Sequence, residues 1–187
     1  MTPVQASELQ EPASPQVQAI WALLEQVSDP EIPVISLLDL GVVRDVGLDA
    51  QGWVVVITPT YSGCPAMAQM ADDICSTLQR AGFGPGRVQT QLAPAWSTDW
   101  ISPQGRRKLH EYGIAPPAAL RRDTCVTESS GGQVMRFLPR RTQVEAVACP
   151  RCGSEQTVET AHFGSTACKA LYRCLACREP FDYFKPY

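Results

Sequence analysis

Four cysteines near the C-terminal end of the chain have the spacing of a metal site. Cys149 and Cys152 form one Cys-x-x-Cys pair, and Cys174 and Cys177 form a second. Two such pairs can direct four thiolates at one tetrahedral centre. A site of this kind has no open coordination position, so it stabilises a fold and does not catalyse a reaction. We predict one structural metal ion, zinc in preference to iron, against the alternative of two separate redox pairs.

A further cysteine, Cys64, lies where a predicted strand gives way to a predicted helix, in the stretch Thr60-Tyr-Ser-Gly-Cys-Pro65. We expect Cys64 at the helix N-cap and Pro65 at the first helical position, with the hydroxyl of Thr60 nearby. A helix N-terminus lowers the pKa of a thiol, which suits a reactive thiolate or a metal ligand. The alternative is a small buried residue that caps the helix and has no chemistry.

Other residues that could take part in chemistry lie outside any clear motif. Cys168 is either a core thiol of the C-terminal hairpin or a second thiol that a metal can reach. A cysteine enzyme would pair Cys64 with a histidine base, and the chain has two histidines, His110 and His162, neither of them in a catalytic motif. We therefore predict that the chain is not an enzyme.

Carboxylates are a third group of interest. Asp29 and Glu31 flank Pro30, and Asp39 precedes a Leu-Gly pair. A carboxylate before proline usually forms a turn or a cap. These side chains matter for chemistry only if the fold brings them beside Cys64, which sequence spacing cannot establish.

Composition limits the class of protein. The chain has 187 residues, a net charge of −3 and a pI near 5.4. Non-specific binding to nucleic acid or to a membrane surface depends on basic charge, so we expect neither as a partner. The N-terminal segment lacks the basic start and apolar run of a secretory signal, so we expect a cytoplasmic protein. In that compartment its eight cysteines would serve metal or thiol chemistry.

Hydrophobic spacing and turn residues predict the elements that position these groups. The N-terminal part contains, in chain order, a helix from Ser14-Pro15 to Ser28, strands over 42–48 and 53–58, a helix from Cys64-Pro65 to Gly82, a strand over 86–92 and a helix from Ser102-Pro103 to Gly113. This order predicts an α+β fold, a small two-layer domain with one sheet covered by helices.

The C-terminal part is predicted to be a zinc ribbon. A hairpin of strands over 156–160 and 169–173 would join the two cysteine pairs, and Phe181 and Tyr183 would share one face in its core. We therefore divide the chain into a first domain over 14–114, a linker over 115–143 with one short strand at Val134 to Leu138, and the ribbon over 144–187.

Several motifs resemble those of iron–sulfur cluster assembly factors of the SufT-like family. They are Asp29-Pro-Glu-Ile-Pro33, Asp39-Leu-Gly41 and Thr60-Tyr-Ser-Gly-Cys-Pro65. Within that family the chain is similar to the PaaD group of phenylacetate catabolism, through Thr98–Ile101, Tyr112–Pro116, Cys149–Cys152, Phe163–Cys174 and Glu179–Phe184. The resemblance covers about residues 15–187.

The resemblance implies a maturation factor for the multicomponent phenylacetyl-CoA epoxidase, with the oxygenase or reductase subunits as partners. It implies that Cys64 handles iron or a cluster transiently, with Asp39 and Thr60 beside it. A cluster needs four ligands, so the rest would come from a homodimer, a client, glutathione or Asp39. The alternative is a scaffold or accessory subunit that docks through its ribbon.

Overall fold

The computed structural model of the chain describes residues 14–61, 63–117 and 146–187. In these residues helices and strands are mixed, which confirms the predicted α+β class. The elements in chain order are α1 (Pro15–Leu24), β1 (Val43–Asp49), β2 (Gly52–Ile57), α2 (Met67–Arg80), β3 (Gly86–Thr90), α3 (Pro103–Tyr112), β4 (Ile114–Ala115), β5 (Thr157–Ala161), β6 (Lys169–Cys174) and β7 (Pro180–Phe184). None of the helices in these ranges is long and apolar enough to cross a membrane.

The first sheet has three strands in the order β1-β2-β3. Strands β1 and β2 form the predicted antiparallel hairpin, and α2 is the crossover that brings β3 parallel to β2. Helices α1 and α2 cover the sheet and bury Ile20, Leu24, Met70 and Ile74 in its core. This part of the chain is the predicted two-layer domain.

The starts of α1 and α3 and the end of α3 follow the predicted capping residues. Ser14 Oγ accepts a hydrogen bond from the Val17 amide at 3.3 Å, and Ser102 Oγ accepts one from the Gly105 amide at 2.8 Å. Proline follows each serine at the first helical position. Gly113 ends α3 with a φ of 94°, a left-handed conformation that glycine adopts without steric cost.

The predicted end of the first helix is wrong. The apolar spacing extended the first helix to Ser28, but α1 ends at Leu24. Val27 is buried in the core outside the helix, and its carbonyl accepts a hydrogen bond from the Leu37 amide at 2.8 Å. Ser28 then pairs with Ser36 in an isolated β-bridge, so backbone pairing with a later segment replaces the last helical turn.

The second sheet has four strands in the order β4-β7-β6-β5. The predicted hairpin is present as β5 and β6, and Phe181 and Tyr183 lie in the ribbon core as expected. Strand β7 was not predicted. It pairs antiparallel with β6 on one edge and parallel with β4 on the other. The short strand predicted at Val134 to Leu138 lies outside the described residues.

The ribbon packs directly on the first unit. Phe184, at the end of β7, is fully buried in the first unit's core, and Cys168 belongs to the same core. The Trp96 ring meets Phe184 at 5.9 Å and Tyr187 at 6.3 Å between centroids. The Thr98 amide donates to the Tyr187 carbonyl at 3.3 Å. The division into a first domain over 14–114, a linker over 115–143 and a ribbon over 144–187 stays a prediction. Most of the linker lies outside the described residues.

The buried ring of Phe184 provides a test of this packing. We expect Phe184→Ala to lower the free energy of unfolding by about 3–5 kcal/mol, because it leaves a cavity between the two units. Phe163→Ala is the matched control. Phe163 is 66% exposed, so its truncation should change stability by less than about 0.5 kcal/mol. Urea unfolding followed by circular dichroism measures both, and equal effects would contradict a shared core.

Candidate functional site

The thiols of Cys149, Cys152, Cys174 and Cys177 form a compact cluster. Their Sγ atoms all lie within 4.8 Å of one another. The Cys149–Cys177 pair is 3.8 Å apart and the Cys152–Cys174 pair 3.6 Å. A tetrahedral ion with Zn–S bonds of ~2.3 Å separates its ligands by about 3.8 Å. The cluster therefore has the size and the soft donors that a zinc ion requires.

Two similar turns build this cluster. The Gly153 amide donates to the Cys149 carbonyl at 2.8 Å, and Gly153 has a φ of 74°. In the second pair Arg178 has a φ of 67°, so the residue after the second cysteine is left-handed in both turns. The Cys177 amide donates to Cys174 Sγ at 3.4 Å and lowers the pKa of that thiol to about 6, which favours the thiolate that binds metal.

Cys64 lies in the loop between β2 and α2, and two expectations about it are wrong. The N-cap of α2 is Ala66, so Cys64 precedes the helix and does not cap it. Burial raises the pKa of the Cys64 thiol instead of lowering it. Hydrogen bonds from the Ala66 amide and the Tyr61 hydroxyl favour the thiolate, but the negative charges of Glu31 and Asp29 oppose it. The thiol is therefore predominantly protonated at neutral pH.

The fold brings Asp29 and Glu31 towards Cys64, which spacing alone could not establish. Asp29 is 6% exposed, and its Oδ1 accepts hydrogen bonds from the Glu31 and Ile32 amides at 2.9 and 2.8 Å. Burial raises the pKa of both carboxyls, and the Asp29 charge raises that of Glu31 further. The turn around Pro30 thus places both carboxylates where their charges act on the Cys64 thiol.

Asp39 is bound to other groups. Its two carboxylate oxygens accept from Ser102 Oγ and Lys108 Nζ, each at 2.6 Å. Burial acts to raise the pKa of Asp39, but these hydrogen bonds outweigh it and the pKa lies below its usual value. Asp39 therefore holds the start of α3 in place. Its predicted role in iron handling, and that of the buried Thr60, stays a prediction.

Cys168 is the group that sequence reasoning left open. It is 5% exposed, and its Sγ lies 3.0 Å from Thr166 Oγ1. Burial raises the pKa of the Cys168 thiol, and the charges of Glu31 and Asp29 add to this effect. The same two carboxylates therefore act on Cys64 and on Cys168, although the two cysteines belong to different units of the fold.

A buried cation, Lys169, is the residue that sequence reasoning missed. Its side chain is 6% exposed, and its Nζ lies 3.5 Å from Asp182 Oδ2. Its charge lowers the pKa values of Asp29 and Glu31, against the larger effect of burial. Strand alternation along β6 would place Lys169 on the face of the exposed Leu171 and Arg173, so its burial departs from the pattern and could not be predicted from the sequence.

Comparison with known proteins separates the Cys64 loop from the four clustered cysteines of the ribbon. The family profile described as "Iron-sulfur cluster assembly protein" matches residues 17–89, which include Cys64. The profile described as "PaaD zinc beta ribbon domain" matches residues 137–185, which include all four clustered cysteines. A protein of Escherichia coli (strain K12), named as one subunit of a "Putative 1,2-phenylacetyl-CoA epoxidase", is 51% identical over 173 residues, which are 92% of this chain and 94% of that protein.

This chain belongs to the PaaD family. Two solved structures are also similar to this PaaD-family chain. A crystal structure of a DUF59 domain from Bacillus anthracis is 29% identical, with a TM-score of 0.46, over 49% of this chain and 89% of that one. A solution structure of a Mycobacterium tuberculosis protein, described as associated with Fe–S complex assembly and repair, is 30% identical, with a TM-score of 0.30, over 60% and 98%.

The thiol cluster predicts the metal content of this PaaD-family chain. We expect purified wild-type chain to hold zinc and Cys174→Ser to lose it, because three thiolates leave the tetrahedral ion incomplete. The ribbon should lose structure with the ion, since a module of ~40 residues usually needs a staple. Elemental analysis and circular dichroism test this. Cys75→Ser, a half-buried thiol on α2, is the control and should keep its zinc.

The carboxylates near Cys64 predict its reactivity. Glu31→Gln removes a negative charge that raises the pKa of the Cys64 thiol, so the thiolate fraction at neutral pH should rise. We expect alkylation of Cys64 by iodoacetamide to become a few-fold faster, as followed by mass spectrometry of its peptide. Glu25→Gln, at the end of α1, is the control and should leave the rate unchanged. A rate that falls in Glu31→Gln would contradict this electrostatic account.

Proposed function

We propose that this PaaD-family chain is a maturation factor that delivers iron or an iron–sulfur cluster to a metal centre of a phenylacetyl-CoA epoxidase. The observation that carries this proposal is the position of Cys64. It is a half-buried thiol within the segment that matches iron–sulfur assembly proteins, beside two carboxylates and a hydroxyl. A group that carries metal transiently needs donors that bind when loaded and stay inert when empty.

The protonation state of Cys64 suits transient binding. Burial and the Glu31 and Asp29 charges favour the protonated thiol, which is a weak nucleophile. Iron binding replaces the thiol proton, which leaves for the solvent, and the amide of Ala66 and the hydroxyl of Tyr61 then stabilise the thiolate. Glu31 and Asp29 also supply the hard oxygen donors that iron accepts.

The clustered cysteines have a separate task in this proposal. Cys149, Cys152, Cys174 and Cys177 hold one zinc ion as a structural site. Zinc bound by four thiolates has no open position, so this ion takes no part in iron transfer. Its contribution is to fold the ribbon, whose strand β7 packs on the first unit.

The client is proposed from the named relative and from the resemblance. The Escherichia coli protein is named as a subunit of 1,2-phenylacetyl-CoA epoxidase. We infer that this chain serves the corresponding complex in the cytoplasm. The candidate clients are its oxygenase, with a di-iron site, and its reductase, with a 2Fe–2S cluster.

A second candidate function is a scaffold or accessory subunit that docks through the ribbon. Phe163 and Leu175 favour it, since these apolar ribbon residues are 66% and 59% exposed. The aromatic groups Phe181, Tyr183 and Phe184 do not contribute to such a surface, because they are buried within the fold. A scaffold would need the ribbon and would not need Cys64.

Substitution of Cys64 separates the two functions. In a host that requires this protein for growth on phenylacetate, we expect Cys64→Ser to abolish growth and to leave purified epoxidase deficient in iron or sulfide. Cys75→Ser should restore both to wild-type levels. Circular dichroism and zinc content check that each variant is folded. Full epoxidase activity with Cys64→Ser would overturn the maturation function and favour the scaffold.

A further inference from the structure

A cleft of about 350 Å³ opens where the ribbon packs on the first unit. Glu31 and Tyr112 line it from the first unit, and Arg151, Lys169 and Asp182 line it from the ribbon. None of the described residues that line the cleft is a cysteine. The cleft is therefore not part of the zinc cluster or of the Cys64 site.

The Lys169 ammonium in this cleft is buried and incompletely bonded. Its side chain is 6% exposed, and its one ion-pair partner among the described residues, Asp182 Oδ2, lies at 3.5 Å. That distance is longer than an ordinary N–H···O hydrogen bond, and an ammonium has three donors to satisfy. A buried charge without hydrogen bonds costs free energy. Lys169 therefore has donors to offer to a further acceptor in the cleft.

The cleft lies at the point where the first unit stops covering the ribbon sheet. Lys169 and Leu171 are two residues apart on β6, so they lie on the same face of the sheet. Phe184, the β7 partner of Lys169, is buried in the first unit's core. Leu171, whose β7 partner is Asp182, is 37% exposed. The part of this face that carries Leu171 therefore remains accessible to another molecule.

A second cation, Arg151, lines the cleft from the first cysteine turn. Its Nη2 lies 3.6 Å from the position that a Cβ atom would occupy at Gly113, so the guanidinium is at the C-terminal end of α3. Arg151 is exposed and makes no ion pair or side-chain hydrogen bond with another described residue. A guanidinium presents a planar set of donors that matches a carboxylate.

The balance of charge limits what the cleft can accept. Its lining carries two cations, Lys169 and Arg151, and two carboxylates, Glu31 and Asp182. A polyanion such as a nucleic acid would meet repulsion from Glu31 and Asp182, and such partners require an excess of basic charge. One carboxylate, placed against the free donors of Lys169 and Arg151, fits this balance better than a polyanion.

Apolar side chains beside these cations favour a protein segment over a small anion. Tyr112 and Leu171 line the same cleft and are 54% and 37% exposed. Val158, which pairs with Arg173 on the same face of the sheet as Leu171, is 44% exposed. A free carboxylate or phosphate ion would leave these side chains in water. A protein segment would bury them, as apolar residues are buried at the centre of an interface.

We propose that a client protein docks in this cleft, where one of its carboxylates accepts hydrogen bonds from Lys169 and Arg151 and an adjoining apolar residue packs on Tyr112 and Leu171. This inference rests on the proposed function, because the client is the epoxidase subunit that receives the metal. It names the surface that holds the client, which the maturation function leaves open.

Binding of the candidate clients tests this surface. Zinc-loaded chain is titrated by interferometry against purified oxygenase and reductase subunits of the epoxidase. We expect Arg151→Glu and Lys169→Met to raise the Kd for one of them by at least about tenfold, and Tyr112→Ala to raise it by about fivefold. Arg107→Glu, at an exposed arginine of α3 outside the cleft lining, makes the same change in net charge and should bind as wild type does.

Folding of the variants is checked by circular dichroism and zinc content. Lys169 is buried, so Lys169→Met can lose stability for reasons unrelated to docking. Arg151 is exposed and has no described partner, so Arg151→Glu keeps the test valid in a folded chain. Equal Kd values for Arg151→Glu and Arg107→Glu would overturn the inference.

Zero-length cross-linking identifies the carboxylate without any substitution. A carbodiimide activates a carboxylate, and a nearby amine then forms an amide bond with it as the activating group leaves as a urea. In the free chain we expect Lys169 to be joined to Asp182, its neighbour at 3.5 Å. In the complex we expect a peptide that joins Lys169 to an Asp or Glu of the client. A complex in which Lys169 is joined to Asp182 alone contradicts the proposed contact.

The remaining outcomes separate this inference from the proposed function. If wild type binds neither subunit, docking in the cleft is overturned, and the Cys64→Ser growth test still decides the maturation function. If the cleft variants change self-association in sedimentation equilibrium and leave client binding unchanged, the cleft joins copies of this chain and the inference fails. If Cys64→Ser supports full epoxidase activity while Arg151→Glu weakens binding, the cleft docks a partner for which this chain is a scaffold.

Discussion

The parallel pairing of β4 with β7 is the contact on which the rest of the structure depends. Strand β4 comes from the first unit and β7 from the end of the ribbon, so this pairing makes the ribbon sheet continuous with the preceding chain. It places Phe184 in the first unit's core, against Trp96. Cys168, which precedes the ribbon strand β6, is buried in the same core.

This dependence links the two groups of thiols. The ribbon sheet is small and ends in two cysteine turns, one of which holds Arg178 in a left-handed conformation that costs roughly 1–2 kcal/mol. A metal ion in the ribbon offsets that cost and fixes β6, whose first residue follows Cys168. The structural metal therefore stabilises the strand that follows Cys168 and, with it, the packing of the ribbon on the first unit.

Elements were predictable from the sequence where residues adjacent in the chain determine their conformation. Ser-Pro pairs began α1 and α3 as expected, and the two Cys-x-x-Cys pairs meet because their spacing and turns require it. The N-cap of α2 was wrong by two residues, because the chain makes a turn from Tyr61 to Cys64 before the helix begins. The raised pKa of Cys64 was missed because it depends on burial and on the charges of carboxylates in a turn that is distant in the sequence.

The junction could not have been predicted from spacing. Asp29 and Glu31 resemble ordinary turn residues, and Cys168 resembles a core thiol of a hairpin, which it also is. Their common location follows only from the way in which β7 seats the ribbon on the first unit. Cys168 is buried, and the charges of Glu31, Lys169 and Asp29 from the surrounding segments act on its thiol. Burial of charge costs free energy unless a partner compensates it, and the Lys169 ammonium from the ribbon compensates the Asp29 and Glu31 carboxylates of the first unit.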